Sequence, residues 1–251
     1  MRVSRRVILG GLAATLLSLR TAGLSKPSSW SEDFVDCALL DLNSHCLLPE
    51  SLKGYQAALA GQHNLVESFP ESTCRYRFVI VPGLGLMDPA LAQTLKNLLW
   101  AGTHLLLESG AGFLSPADFA VHQRFLLHYF DVSVLPPLDL WSGKLADRSF
   151  FSFLPAGYEC SEKQLTSRES IPYIDYSWPR DTRVRDFSRV IPVSSKAGDI
   201  IGRVGAVPVA LKKRMAGGML IFIGSPLGPA LRSGDLEARA WLRLIGNLAS
   251  V

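Results

Sequence analysis

The alternation of buried-strand and helix patterns over residues 76–130 constrains the fold of this chain most strongly. "YRFVIVPG" (76–83) and "THLLLES" (103–109) are continuous apolar runs, the pattern of strands that are buried on both faces. Helical spacing follows each of them in "MDPALAQTLKNLLWAG" (87–102) and "SPADFAVHQRFLLHYF" (115–130), and both segments begin with a capping residue and a proline. Short connections between such units require parallel strands with helical crossovers, so we predict an α/β fold.

Weaker patterns of the same kind flank this region. In chain order they are a strand at 34–42, a helix at 49–62, three strands joined by tight turns at 199–224 and a helix at 235–250. Residues 131–198 contain a proline pair and no clear period, so we predict an irregular insertion of loops and short strands there. The expected fold is one domain over residues 34–251, a three-layer α/β/α arrangement of flavodoxin-like type. Its sheet is expected to be mainly parallel, with an antiparallel C-terminal extension.

The chain begins with "MRVSRRVILGGLAATLLSLRTAGLS", a basic start followed by an apolar run and small residues. The order Ser4-Arg5-Arg6 before that run resembles the twin-arginine export signal of bacteria, which carries folded proteins out of the cytoplasm. The apolar run of about 13 residues is too short to cross a hydrocarbon core of roughly 30 Å. We therefore predict a signal over residues 1–23, a polar linker over 24–33 and a mature protein with no stable membrane span.

The N-terminal signal and the charge distribution together indicate the cellular location of the protein and the kinds of partner it has. The resemblance to a twin-arginine signal implies a periplasmic or otherwise extracytoplasmic location, with the export machinery as partner of the precursor. An uncleaved signal that anchors the protein to the membrane is the alternative. Four of the 26 Lys and Arg residues, but none of the 22 Asp and Glu residues, lie within the first 23 positions. The rest of the chain is therefore charge-balanced, which argues against nucleic acid as a partner.

Cysteine, histidine and glycine spacings predict neither a metal site nor a cofactor. The chain has four cysteines, Cys37, Cys46, Cys74 and Cys160. Four cysteines allow three disulfide patterns, and the spacing does not favour any one of them. None of their spacings is C-x-x-C, and Cys37 lies in an apolar run where we expect a buried thiol. His122 and His128 do not share a helical face and so do not form a metal pair. The glycines around Gly83 lack the G-x-G-x-x-G spacing of dinucleotide sites.

A strand ending in Pro82-Gly83, a helix and the run "AGTHLLLESGAGF" follow one another over residues 77–113, and "GGMLIFIGSPLG" precedes the final helix. This order resembles the class I glutamine amidotransferase-like group and, more loosely, related domains attached to some glycoside hydrolases. In active members the resemblance implies a cysteine in the turn after "LLLE", an oxyanion site near the Pro-Gly and a late histidine with a glutamate. Here no residue from 108 to 112 is cysteine and no histidine follows His128, so we expect a pseudoenzyme that lacks the amidotransferase reaction.

Five residues at the carboxyl ends of predicted strands line the crevice where α/β folds bind ligands, namely Gly83, Glu108, Ser109, Gly110 and Ser225. Glu108 closes an apolar strand, and an acid in that position must face solvent, pair or bind something. We therefore predict an exported, non-catalytic binding or accessory module with no catalytic residue. Its ligand would be a small polar molecule or a carbohydrate, or its partner would be another protein.

Two other functions stay open. The first is a hydrolase with a rearranged site that uses Ser109 or Glu108, in which Ser109 needs a base from His45 or His63. His122 is instead expected on an exposed helix face beside Asp118, four residues earlier. The second is a structural protein that docks on an envelope complex. The segment "YIDYSWPRDTRVRDF" (173–187) is either a binding surface for a sugar or an anion or a polar loop packed on the sheet.

Overall fold

The computed structural model describes residues 37–41, 49–59, 64–66, 76–85, 87–109, 113, 115–139, 173–185, 189–227 and 231. Its helices are α1 (Pro49–Leu59), α2 (Pro89–Trp100) and α3 (Pro116–Phe130). The strands before α3 are β1 (Cys37–Leu40), β2 (Asn64–Val66), β3 (Phe78–Leu84) and β4 (His104–Ser109). Those after α3 are β5 (Leu138–Asp139), β6 (Tyr173–Tyr176), β7 (Thr182–Arg185), β8 (Arg189–Val190), β9 (Asp199–Val204), β10 (Val207–Met215) and β11 (Gly218–Ile223).

In the part of the chain that the structure describes, nine strands form one sheet in the order β2-β1-β3-β4-β11-β10-β9-β6-β7, and β5 pairs with β8 separately. The four pairings from β2 to β11 are parallel, and the four from β11 to β7 are antiparallel. The predicted α/β class is confirmed. The sheet is mixed rather than mainly parallel, because β6 and β7 come from within the predicted insertion and lengthen its antiparallel half.

The local sequence explains where helix α2 begins, which face it buries and where it ends. The Asp88 side chain accepts a hydrogen bond from the Ala90 N–H at 3.3 Å, and Pro89 occupies the first turn, where its missing N–H is harmless. Leu95 and Leu99, four residues apart, are fully buried on one face. Gly102 then adopts a φ of 108°, a left-handed conformation that favours glycine and turns the chain into β4.

Helices cover both faces of the parallel half of the sheet. Leu105 and Leu107 of β4 pack in the apolar cluster that contains the buried residues of α2 and α3. Leu106, between them, packs in a second cluster with Tyr55 and Leu59 of α1. This alternation is the ordinary period of a strand, in which successive side chains point to opposite faces. It follows that Glu108 points toward α1 and that Ser109 points toward α3.

Several predicted features lie outside the described residues. They include the signal, the linker, the helix at 235–250 and three of the four cysteines. The fourth, Cys37, is fully buried in β1 as predicted, and burial raises the pKa of its thiol to about 12. Among the helices described, none has both the length and the apolar character needed to cross a bilayer.

Candidate functional site

The candidate site lies where β3, β4 and β11 end, at the carboxyl edge of three adjacent parallel strands. The register places Ile223 of β11 beside Glu108, and Leu84 of β3 beside Ser109. The register between β3 and β4 shifts after Val81, and Gly83 there has a φ of 57°. This bulge takes Gly83 out of the regular ladder and turns its backbone N–H toward Glu108.

Glu108 is fully buried and is held by groups of the protein itself. The Ser51 hydroxyl of α1 donates a short hydrogen bond to its Oε1 atom. The Tyr55 hydroxyl and the backbone N–H groups of Gly83 and Leu227 also lie against the carboxyl group. The Tyr55 contact is a loose one, because neither Oε2 nor the Tyr55 hydroxyl has a partner at full hydrogen-bond geometry. Glu108 therefore ties α1, the β3 bulge and the segment after β11 together.

The protonation of Glu108 is set by two opposing effects. Burial, the larger, raises the pKa of the carboxyl group from 4.5 to about 7, and the hydrogen bonds from Ser51 and Tyr55 act in the opposite direction. The pKa of Tyr55 is raised well above its usual value by burial and by the neighbouring Glu108 charge. Near neutral pH the Glu108 carboxyl group is thus divided between its neutral and its charged form.

Ser109 is also fully buried, but on the opposite face of the sheet from Glu108. Its Oγ atom lies 2.9 Å from Nε2 of His122, which projects from α3. The His122 ring packs against Phe113, with ring centroids 4.8 Å apart, and against Phe119. The structure thus pairs a serine hydroxyl at the end of a parallel strand with an imidazole from the following helix.

The pairing corrects two expectations about histidine. Ser109 contacts His122, rather than depending on His45 or His63, which lie outside the described residues. His122 is fully buried and not on an exposed face. Its expected neighbour, Asp118, instead accepts a hydrogen bond from the Ser115 hydroxyl at 2.8 Å, at the N-terminus of α3. The spacing of His122 from Phe119 and Leu126, at three and four residues, is the signal that places it on the buried face.

His122 is neutral near neutral pH, and burial makes it a weaker base than an ordinary histidine. Burial lowers the pKa of the imidazole from 6.5 to about 4, although a contact with the Gly85 carbonyl acts in the opposite direction. The ring is therefore neutral at neutral pH. Because Nδ1 is the atom without a partner at full hydrogen-bond geometry, the Gly85 contact is a loose one. A proton on Nδ1 leaves Nε2 as the acceptor for the Ser109 hydroxyl.

The remaining predicted site residues divide as follows. Gly83 contacts Glu108 through its backbone, and Ser225 is buried just after β11, at the same edge of the sheet. Gly110 lies outside the described residues. Ser51 and Tyr55 were not predicted as site residues; they are four residues apart on α1 and so share one helical face. Within the described residues, no group of three or more His, Cys, Asp or Glu side chains is placed to hold a metal ion.

The chain resembles parts of known structures in its fold. A β-galactosidase from Bacillus circulans sp. alkalophilus matches with a TM-score of 0.52 and 12% identity, covering 83% of this chain and 30% of that one. A β-galactosidase from Rahnella sp. R3 gives 0.50 and 8%, covering 83% and 31%. A cytoplasmic protein from Salmonella typhimurium LT2 gives 0.50 and 10%, covering 78% and 86%. Neither the protein-family models nor the curated proteins compared with the sequence gave a match.

These likenesses correct the resemblance inferred from residues 77–113. The similar structures are glycoside hydrolases and a cytoplasmic protein, so the assignment to class I glutamine amidotransferases is wrong. The physical reason is that a strand, a Pro-Gly, a helix and a second strand make up a general α/β unit, which identifies the alternation of elements and not a family. The chain spans about a third of the β-galactosidases that it matches.

Proposed function

We propose that the chain is a hydrolase in which Ser109 is the nucleophile and His122 is the general base. The observation that carries this proposal is the 2.9 Å contact between Ser109 Oγ and His122 Nε2. A serine hydroxyl is a weak nucleophile until a neighbouring base accepts its proton. The position of the pair also supports the proposal, since α/β sheets present their ligands at the carboxyl ends of parallel strands.

The reaction class is acyl transfer to water. When Ser109 Oγ attacks an acyl carbon, its proton passes to Nε2 of His122, which then gives the proton to the leaving group. A water molecule, deprotonated by the same nitrogen, cleaves the acyl-serine bond and restores the pair. Because the pKa of His122 is about 4, activity should persist below the pH at which an ordinary histidine base becomes protonated.

Glycoside hydrolysis, the activity of the β-galactosidases, is not the chemistry that these side chains favour. That reaction uses two carboxyl groups on either side of the glycosidic bond. Glu108 is held by Ser51 on one face of the sheet, and Ser109 and His122 lie on the other. Glu108 therefore does not orient His122 and is proposed as a positioning residue for the strand ends.

A fluorophosphonate probe, which labels activated serines, tests the proposal on the purified full chain. We expect labelling of the wild type, no labelling of Ser109→Ala and at least about a hundredfold slower labelling of His122→Gln. Ser133→Ala, at an exposed serine, is the matched control and should label as the wild type does. Labelling that survives in Ser109→Ala would overturn the proposal, provided that thermal unfolding shows the variants to be folded.

A non-catalytic accessory module is the second candidate. It is supported by the burial of Ser109, His122 and Glu108, whose polar atoms are turned toward the protein itself. Its ligand would be a small polar molecule, a carbohydrate or another protein. A folded wild-type chain that the fluorophosphonate probe leaves unlabelled would favour this candidate over the hydrolase.

We also propose where the protein works. The Ser4-Arg5-Arg6 pattern supports export through the twin-arginine machinery and work outside the cytoplasm, with an uncleaved membrane anchor as the alternative.

The parallel half of the sheet is proposed as a three-layer α/β/α unit of flavodoxin-like type. The placement of α1 on one face of this half and of α2 and α3 on the other supports that arrangement.

A further inference from the structure

The antiparallel half of the sheet has a cleft of its own, away from Ser109. A cleft of about 630 Å³ opens over β6, β7 and β9. Four strand spacings separate β6 from β4, or roughly 19 Å at the usual distance between strands. The volume falls within the range of roughly 300–1,000 Å³ that is usual for small-molecule sites.

Among the residues that the structure describes, one face of these strands is covered and the other is open. Ile174, Tyr176 and Val184 point to the covered face and are buried in the apolar cluster below the sheet. Asp175 and Arg183 point the other way, and their side chains are 60% and 68% exposed. In a strand ladder this alternation leaves every second side chain available on the open face.

The register arranges charged side chains in a row across that open face. Asp175 of β6 stands opposite Arg183 of β7 on one side and opposite Arg203 of β9 on the other. Arg183 Nε lies 3.1 Å from Asp175 Oδ1, and the Arg183 guanidinium group also lies over the Tyr173 ring, 4.7 Å from its centre. Arg203 Nη1 donates to the Ala206 carbonyl at 3.3 Å. These contacts orient both guanidinium groups and use few of the five donors that each carries.

The lining of the cleft decides the class of ligand. Its charged members are two acids and two bases, Asp175, Asp181, Arg183 and Arg203, joined by the hydroxyl groups of Ser177 and Thr182. Equal numbers of opposite charges give no net attraction to an ion of either sign. Alternating donors and acceptors instead match hydroxyl groups, each of which both donates and accepts hydrogen bonds. We propose that this cleft binds a neutral oligosaccharide of a few sugar units, independently of the reaction at Ser109.

Isothermal titration of the full chain tests the proposal with three neutral probes and one acidic probe. The neutral probes are cellotetraose, maltotetraose and xylotetraose, and the acidic probe is trigalacturonate. We expect at least one neutral probe to bind, and to bind more tightly than trigalacturonate. Asp175→Asn combined with Asp181→Asn should weaken that binding by about tenfold or more, because hydrogen bonds to charged acceptors are lost.

Asp131→Asn provides the matched control. Asp131 is an exposed acid that pairs with Lys213 outside the cleft, so its replacement should leave the dissociation constant unchanged. Absence of binding by all three neutral probes would overturn the proposal, as would tighter binding of trigalacturonate. Equal binding by the wild type and the double variant, both folded by circular dichroism, would also overturn it. Fluorophosphonate labelling of Ser109 is read separately, so failure at one site leaves the other proposal intact.

Discussion

Replacing Glu108 with glutamine removes a buried carboxyl group and keeps its shape and one of its oxygen acceptors. In the folded protein, burial raises the pKa of Glu108 from 4.5 to about 7. The folded state therefore binds this proton more tightly than the unfolded state does. The stability that this preference contributes is fully present below about pH 4.5, and it is lost as the pH rises through about 7.

The magnitude follows from the size of the pKa shift. One pKa unit corresponds to about 1.4 kcal/mol, so the shift from 4.5 to about 7 amounts to roughly 3 kcal/mol over the full titration. Because Glu108 is fully buried, solvent screening does not reduce this figure. Between about pH 5 and pH 8.5, we expect the free energy of unfolding of Glu108→Gln to rise by about 2–3 kcal/mol relative to the wild type. Other titrating groups cancel, since the two proteins are compared at the same pH.

Urea unfolding followed by circular dichroism at the two pH values measures this difference. Thr103→Val is the control, because the Thr103 hydroxyl is buried, uncharged and bonded to the Tyr76 carbonyl at 2.9 Å. Its replacement should change stability equally at both pH values. If the difference between Glu108→Gln and the wild type is also the same at both pH values, burial does not hold the proton on Glu108.

His122 should respond to pH with the opposite sign, because burial lowers its pKa from 6.5 to about 4. The stability that the neutral His122 ring contributes is present above about pH 6.5 and is lost as the pH falls toward 4. Between about pH 7.5 and 4.5, the free energy of unfolding should therefore fall by roughly 2.5 kcal/mol more in the wild type than in His122→Gln, as measured by urea unfolding. Equal losses would contradict this. Arg5→Lys combined with Arg6→Lys should hold the precursor in the cytoplasm on cell fractionation, whereas Arg2→Lys should not; normal export of the double variant would rule out a twin-arginine signal.

The parallel core was predictable because its signals are local. A continuous apolar run predicts β3 and β4, and the Asp88-Pro89 start predicts α2. The antiparallel half was harder to predict, because β6 lies in a polar segment and has apolar neighbours only on its covered face. The four residues of β6 are equally compatible with a strand and with a loop as long as the partner strand is unknown.

The location of the candidate site was predictable from the sequence, but the residues that contact each other there were not. Glu108 and Ser109 were located at a strand end from the sequence, because the carboxyl end of a buried strand is where α/β folds present side chains. The partners of Glu108 and Ser109 were missed for different reasons. Ser51 lies 57 residues from Glu108 along the chain, whereas His122 lies only 13 residues from Ser109 but was assigned to the exposed face of its helix.

Local sequence signals were enough to predict the alternation of strands and helices, the caps of α2 and α3 and the burial of Cys37, since each depends on residues within about one turn or one strand. Which helix covers each face of β4 depends instead on the path of the whole chain. The strand period sends Glu108 and Ser109 to opposite faces, and the crossovers bring α1 to one face and α3 to the other. That placement pairs Glu108 with Ser51 and Ser109 with His122, because hydrogen bonds between distant residues exist only once the chain path has brought their atoms together.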